Sequence, residues 1–322
     1  MSDPRIATAY AVCRGIARRE ARNFYYSFLA LPRAKCNALS AVYAFMRHAD
    51  DISDDETSPP AERKLRLESW LEQWRRVSSG TPSDDPVFVA LADAQKRYQI
   101  PGGLLDQLVQ GTSMDLESAP DEISNAESAQ GGTAVATPVI RVLRTFSDLY
   151  RYCYLVASVV GLVCIRIYGY DDPRAEELAE RCGVAFQLTN IIRDVKEDAS
   201  MGRVYFPEED LVRFGLTPDQ LLQDGGKRID ALRLRSLLEF EAARAREYYQ
   251  SATALIPLIH KDSRAALWVM VTIYKRLLEK IADKKFDVLH RRVRLSAVEK
   301  CAILGRGLLK SVLPVHLKFS RR

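Results

Sequence analysis

An all-α fold is predicted for this 322-residue chain by three observations. Apolar residues recur at steps of three and four in segment after segment. No stretch sustains the alternation of a half-buried strand bounded by Asn-Gly or Asp-Gly turns. The proline and glycine clusters fall between the periodic segments and not inside them.

The elements follow in order. Residues 34–49 set Leu39, Val42, Tyr43 and Met46 on one stripe of a helix. Ser58-Pro59-Pro60 separates it from a second helix over 61–77, and Gly80-Thr81-Pro82 precedes a third over 86–99. Pro101-Gly102-Gly103 opens a fourth over 103–116. Residues 117–140, rich in Ser, Ala, Gly, Thr and acids, carry little periodicity and read as a surface insertion, with a lid over an active site as the sharper alternative. Helical spacing resumes over 146–169, breaks at Asp171-Asp172-Pro173, and continues through 174–198. Beyond Gly215-Leu216-Thr217-Pro218, three further helices are predicted over 229–255, 263–282 and 296–313. There is no internal repeat, and residues 1–322 read as one domain.

The 47 basic and 42 acidic residues leave a formal charge of +5, unevenly spread. From Lys284 to Arg322 eleven Lys and Arg residues face only Asp287 and Glu299, a balance of +9, so the first 283 residues carry −4. A basic tail over 284–322 with apolar residues at Leu308, Leu309, Val312 and Leu313 suits contact with an anionic membrane surface. Nucleic acid is disfavoured because no reading motif accompanies the positive charge. Cys13, Cys36, Cys153, Cys164, Cys182 and Cys301 form no CxxC or Cys/His cluster, so neither a disulfide framework nor a zinc site is expected, and a reducing cytoplasm is the simplest compartment. No uninterrupted apolar run of about 18 residues exists, so no transmembrane helix is expected. His48, His260, His290 and His316 pair with no Ser or Cys motif, which argues against a hydrolase, and no G-x-G-x-x-G supports a Rossmann domain.

The chemistry concentrates in two places. On a continuing helix Asp50 and Asp54 stack on one face with Arg47 one turn earlier. Carboxylates that close repel unless a cation lies between them, and oxygen-only ligands suit Mg²⁺, which shares its shell with substrate phosphates. Gln187, Asn190, Asp194 and Asp198, spaced 3, 4 and 4, make a second row, with Ile191, Ile192 and Val195 available to anchor the opposite face. Either row alone reads more readily as a solvated acidic helix end than as a metal site. Two rows, each on a strongly apolar helix and each with an arginine, point to a bound cation. Arg193, Arg203 and Lys196 beside the second row suit a diphosphate, since Arg forks hold phosphate oxygens bidentately.

These blocks resemble the squalene/phytoene synthase family. The resemblance rests on Asn23-Phe24-Tyr25-Tyr26-Ser27-Phe28, on 43–54, on 152–161 and on 187–198, with Phe286-Asp287-Val288 and Arg291-Arg292-Val293 near the end. It implies the all-α isoprenoid synthase fold, a helical bundle around a central apolar cavity, with the two metal-binding helices facing each other at its mouth. By the same resemblance Asp50, Asp54, Asn190, Asp194 and Asp198 would bind Mg²⁺. Arg22, Asn23, Tyr43, Arg47, Gln187, Arg193, Tyr274 and Arg292 would contact diphosphate or line the reaction site.

The family joins two allylic diphosphates head to head, which makes the chain a prenyltransferase by expectation. The reaction forms allylic cations that must be kept from water, and Phe24, Tyr25, Tyr26, Phe28, Tyr43, Phe45 and Phe186 are candidate walls. Plain core packing is the alternative for each. The 23–28 block most resembles bacterial enzymes that make presqualene diphosphate, so two farnesyl diphosphates (C15) are the expected substrates, with Phe28 limiting chain length. NADPH would be needed if the reaction continues to squalene. The alternatives are a phytoene synthase acting on C20 geranylgeranyl diphosphate and, more remotely, a non-catalytic assembly factor for respiratory complexes.

Overall fold

The structure, a computed structural model, describes residues 3–55, 57–114, 143–222 and 229–312, apart from the side chains of residues 22, 23, 311 and 312. The insertion expected at 117–140 and the last ten residues of the basic tail lie outside the described residues. Helices account for nearly all the regular structure, and the one β-bridge among the described residues joins Tyr170 to Ile259.

Two helices precede the first one predicted. Helix α1 (Pro4–Glu20) starts where Asp3 accepts a hydrogen bond from the Arg5 amide and Pro4 occupies the first turn, and Arg18 and Arg19 close it with favourable charge. It buries Ala9, Tyr10, Cys13 and Ala17. Three of these are small, so their apolar contrast with the flanking residues is slight, and the periodicity passes unnoticed. Helix α2 (Arg22–Phe28) is only two turns long. Then come α3 (Arg33–Ser53), α4 (Pro60–Ser78), α5 (Pro86–Tyr98) and α6 (Gly102–Ser113), close to the predicted bounds.

The predicted helix over 146–169 is α7 (Phe146–Cys153), a π-helical turn (Tyr154–Ser158) and α8 (Val159–Tyr168) in one run. By length and composition this run is apolar enough to cross a membrane, which the search for an uninterrupted stretch misses because Arg151 and Arg166 punctuate it. Here it packs against α6 and against α9 (Arg174–Arg193), and turns Val156, Val160 and Cys164 toward an internal cavity. The remaining helices are α10 (Val195–Ser200), α11 (Glu208–Arg213), α12 (Pro218–Leu222), α13 (Ala231–Leu255), α14 (Arg264–Asp283) and α15 (Ala297–Val312).

The π turn marks where two backbones approach closely. Ser158 donates a hydrogen bond of 2.6 Å to the Glu180 carbonyl on α9. A methyl group at Gly183 would stand 2.5 Å from the Ser158 Cα, and one at Gly111 would stand 2.7 Å from the Leu155 carbonyl oxygen. The extra residue of a π turn is invisible to a 3.6-residue pattern, but its neighbours have to be glycine.

A buried charge group fastens the stretch after α10. Arg244 on α13 donates to Asp210 at 2.8 Å and to both oxygens of Glu241 at 2.9 and 3.0 Å, while its guanidinium lies 4.1 Å from the Phe146 ring centre. Burial, with Asp210 alongside, pushes Glu241 up to about 8 in spite of Arg244. Tyr205 stacks on Tyr152 at 4.7 Å, so residues 204–206 are pinned to α7.

Gly183→Ala is therefore expected to cost about 1–3 kcal/mol in urea unfolding, because the contacts it meets are backbone atoms. Gly305→Ala, with nothing within 4 Å of the added methyl, is expected to be neutral or to stabilise by up to about 1 kcal/mol through helix propensity.

Candidate active site

Helices α2, α3, α8, α9 and α14 surround a cavity of about 840 Å³. Leu39, Val42, Tyr43, Met46 and Asp50 line it along α3, so the stripe read as a core-facing surface is a cavity wall. From Leu39 to Asp50 the helix rises about 16 Å, and the wall changes from apolar to charged over that length. One turn before Leu39, Lys35 Nζ donates to the carbonyl of the lining residue Tyr168 at 2.7 Å, to Asp262 at 2.7 Å and to Ser263 at 3.0 Å. One ammonium group thus ties the start of α3, the end of α8 and the start of α14 together.

Aromatic rings form the middle. Phe186 stacks on Tyr274 with centroids 4.4 Å apart, and Phe24 meets Tyr274 edge-on at 6.2 Å. Phe28 is buried, lines the cavity, and ends the helix whose chain turns directly into α3, which puts it toward the Leu39 end. Phe45 corrects the sequence expectation. It is fully buried among Trp70, Trp74 and Phe88, with centroids 5.5–6.3 Å away, and does not line the cavity.

At the polar end the first carboxylate row differs in detail from its prediction. Helix α3 stops at Ser53, and Asp54 is its C-cap, its amide donating to the Asp50 carbonyl at 2.8 Å. Asp50 lines the cavity and, among the described residues, receives a single 3.3 Å hydrogen bond, from the Thr112 hydroxyl. Burial first, and the neighbouring Asp54 second, push its carboxyl up to about 7. Arg47, expected to serve the same face as Asp50, donates to Asp51 and does not line the cavity.

The second row is broken as a helix face. α9 ends at Arg193, Asp194 adopts φ −102° and ψ 15° as its C-cap, and α10 begins at Val195. Ile191, Ile192 and Val195 are buried as expected. Gln187, Asn190 and Arg193 line the cavity together with Asp50, so the two rows do meet at one mouth. The Asn190 amide donates to Gln187 at 3.3 Å, and its Oδ1 is buried without a partner. Arg193 forks onto Asp194, with Nε 2.7 Å from Oδ1 and its second nitrogen on Oδ2. Arg292 Nε reaches the same Oδ1 at 2.8 Å and stands 3.5 Å from Glu197 Oε1. The Asp198 amide donates to the Asp194 carbonyl at 2.8 Å, and the Arg203 amide to the Asp198 carbonyl at 2.9 Å. Asp54, Asp194, Asp198, Arg47 and Arg203 do not line the cavity. The side chains of Arg22 and Asn23 lie outside the described residues.

A hard cation suits the donors at this mouth. Asp50 is a desolvated carboxylate facing the cavity, and Asn190 Oδ1 is an oxygen with no hydrogen bond to lose. Among the described residues, no three His, Cys, Asp or Glu side chains are gathered as a ready-made metal centre, and Asp194 is occupied by two arginines. Loading a cation on both rows therefore requires those ion pairs to rearrange.

Several lining residues escaped the sequence reading. Arg294 and Lys300 line the cavity alongside Arg292, so part of the basic tail belongs to the site. Arg18 and Arg19 join them from the end of α1. The signal was present in Arg291-Arg292-Val293-Arg294, but nothing in the sequence shows that this stretch folds back over the bundle. Tyr168, Gly161 and Gly183 were also passed over, as ordinary helix residues.

Comparison with known proteins agrees with this geometry. A family model described as squalene/phytoene synthase matches residues 17–299. A phytoene synthase of Mycobacterium tuberculosis is 36% identical over 97% of this chain and 95% of its own. A 15-cis-phytoene synthase of Synechococcus elongatus is 32% identical over 96% and 95%. A crystal structure of a dehydrosqualene synthase superposes with a TM-score of 0.78 at 28% identity, covering 95% of this chain and 98% of that one. A squalene synthase from Alicyclobacillus acidocaldarius shares the fold, with a TM-score of 0.73 at 23% identity over 88% and 97%. The chain, an all-α isoprenoid synthase fold with two carboxylate rows at one cavity mouth, belongs to the squalene/phytoene synthase family of head-to-head prenyltransferases.

Proposed function

We propose that this protein is a phytoene synthase, joining two geranylgeranyl diphosphates (C20) through their C1 ends. The observation that carries the choice is that relatives at 36% and 32% identity, matched over nearly the full length of both chains, are named phytoene synthases. The C15 substrates expected from the 23–28 block move to second place, where the dehydrosqualene synthase crystal structure at 28% identity still supports them. A scaffold without activity fits poorly, because both carboxylate rows are present.

Mg²⁺ is the proposed cofactor, held by Asp50 and Asp54 on one side and Asn190, Asp194 and Asp198 on the other, where it would supply the positive charge that makes a diphosphate a leaving group. The chain's own residues account for the rest. Arg193 and Arg292, with Arg294 and Lys300, bring donors to the mouth where diphosphate oxygens would sit. Gln187 and Asn190 orient one another across one helical turn. When the C1–oxygen bond breaks, the allylic cation lies against the faces and edges of Phe186, Tyr274 and Phe24, which stabilise positive charge and keep water away. The double bond of the second substrate then attacks C1, and the departed diphosphate takes the proton whose loss closes a cyclopropane; ionisation of the remaining diphosphate, opening of the ring and loss of a second proton to diphosphate give phytoene. No acid–base dyad is required.

Purified protein incubated with Mg²⁺ and either C15 or C20 diphosphate, with and without NADPH, should convert the C20 substrate to phytoene independently of NADPH. Presqualene diphosphate or squalene from the C15 substrate alone would overturn the C20 assignment, and no diphosphate release from either would favour a scaffold. Asp50→Asn should lower turnover at least about a hundredfold. In metal-free buffer the same variant should be about 1 kcal/mol more stable than wild type, because it removes a desolvated carboxylate beside Asp54. Phe28→Ala should shift the C20 over C15 preference by roughly tenfold toward the longer chain, and an unchanged ratio would remove Phe28 from the control of length.

A further inference from the structure

We infer that Glu197 is a positioning residue for Arg292, the second acceptor to which that guanidinium moves when Asp194 is drawn to a cation. The inference rests on the proposal that the two carboxylate rows hold a divalent metal.

The geometry is that of one donor between two acceptors. Arg292 Nε lies 2.8 Å from Asp194 Oδ1 and 3.5 Å from Glu197 Oε1, so a small displacement of the guanidinium exchanges one partner for the other. The two acceptors are unequally supplied. Asp194 Oδ1 already receives Arg193 Nε at 2.7 Å, and Oδ2 receives the second nitrogen of Arg193, so this carboxylate is neutralised with or without Arg292. Glu197 Oε2, by contrast, is buried and has no hydrogen-bond partner. A desolvated carboxylate oxygen left unpaired is costly, and Arg292, already 3.5 Å from the other oxygen of the same carboxylate, is the charged donor at hand to offset it.

A cation arriving at Asp194 changes the balance. Positive charge on that carboxylate repels a guanidinium held at the same oxygen, and repulsion between groups this close is strong in a partly desolvated site. Glu197, three residues along on α10, takes Arg292 without requiring it to leave the mouth. Arg292 then remains where a diphosphate oxygen can meet it. Without Glu197 the guanidinium would compete with the metal for Asp194.

Binding of Mn²⁺ alone, measured through the electron paramagnetic resonance of the free ion, tests this in a cycle of wild type, Glu197→Gln, Arg292→Gln and the double variant, each checked for a wild-type thermal transition. Mn²⁺ reports on hard oxygen sites of this kind. Glu197→Gln is expected to weaken binding roughly fivefold, Arg292→Gln to strengthen it, and Glu197→Gln to have no further effect once Arg292 is gone. Glu197→Asp, which keeps an acceptor, should retain most of the wild-type affinity and serves where the Gln variant folds poorly. Equal weakening by Glu197→Gln in both backgrounds would overturn the inference, since Glu197 would then be a ligand or a general source of negative charge. An unchanged affinity in the single Glu197→Gln variant would overturn it as well. Wild-type protein that binds no Mn²⁺ would remove the metal reading itself, an outcome visible before any variant is made.

Discussion

Everything at the mouth of this bundle depends on placing carboxylates at the carboxyl-terminal ends of two helices. That end of a helix already concentrates negative charge from unpaired carbonyls, so an acid there is disfavoured twice, by the helix dipole and by burial. α3 carries Asp50 in its last turn and Asp54 at its C-cap, and α9 ends with Asp194 at its own. The two ends meet this cost differently. Asp194 is compensated by Arg193 and Arg292, which hold it as an ion pair. Asp50 is buried with Asp54 beside it, and neither the nearby Arg47 charge nor one long hydroxyl bond offsets this, so its carboxyl rises into the neutral range. An arrangement this unfavourable persists only because the helices beneath it are fixed by apolar packing, through Ile191 and Ile192 on α9 and through Phe45 on α3.

The same packing has to leave a cavity open, and small residues do this. Gly161 lets α8 approach the backbone of α9, and Gly183 lets α9 approach the backbone of the π turn, closer than a larger side chain at either position would allow. The π turn at Tyr154–Ser158 accommodates the approach, and Ser158 secures it to α9. At the far end Lys35 bridges three chain segments that would otherwise splay. A cavity of about 840 Å³ is within the usual range for small-molecule sites and is held open by a few named contacts.

Legibility in the sequence followed the physics of each feature. The long helices and the positions of Asp50, Asn190 and Asp194 were readable because periodicity and spacing are local properties. The helix breaks at Asp54 and Asp194 were not, since a C-cap changes φ and ψ without interrupting an i, i+4 spacing. Phe45 and Phe186 look alike in sequence, yet one packs against Trp70 and Trp74 and the other against Tyr274, a distinction made only by tertiary neighbours. Arg292 was expected at the site only through the family resemblance, and Arg294 and Lys300 were left to the basic tail, because charge counts do not reveal that the chain after α14 returns to the mouth.

That return alters the meaning of the charge asymmetry. A +9 segment following a −4 body need not describe two separate tasks, because part of it supplies the counter-charge that the acidic mouth lacks. It also separates the determinants of chemistry from those of substrate length. In the proposed reaction ionisation falls to Asp50, Asp194 and the arginines at one end of α3, whereas Phe28, Leu39 and Tyr168 line the cavity toward the other end, about 16 Å away along the helix. At that distance the aqueous mouth screens what happens at the apolar floor, so changes in depth leave the charge arrangement intact. On the proposed reading, relatives that share one ionising end would differ in chain length through a few apolar side chains, with the carboxylate rows common to the reaction and the choice between C15 and C20 left to residues that carry no charge.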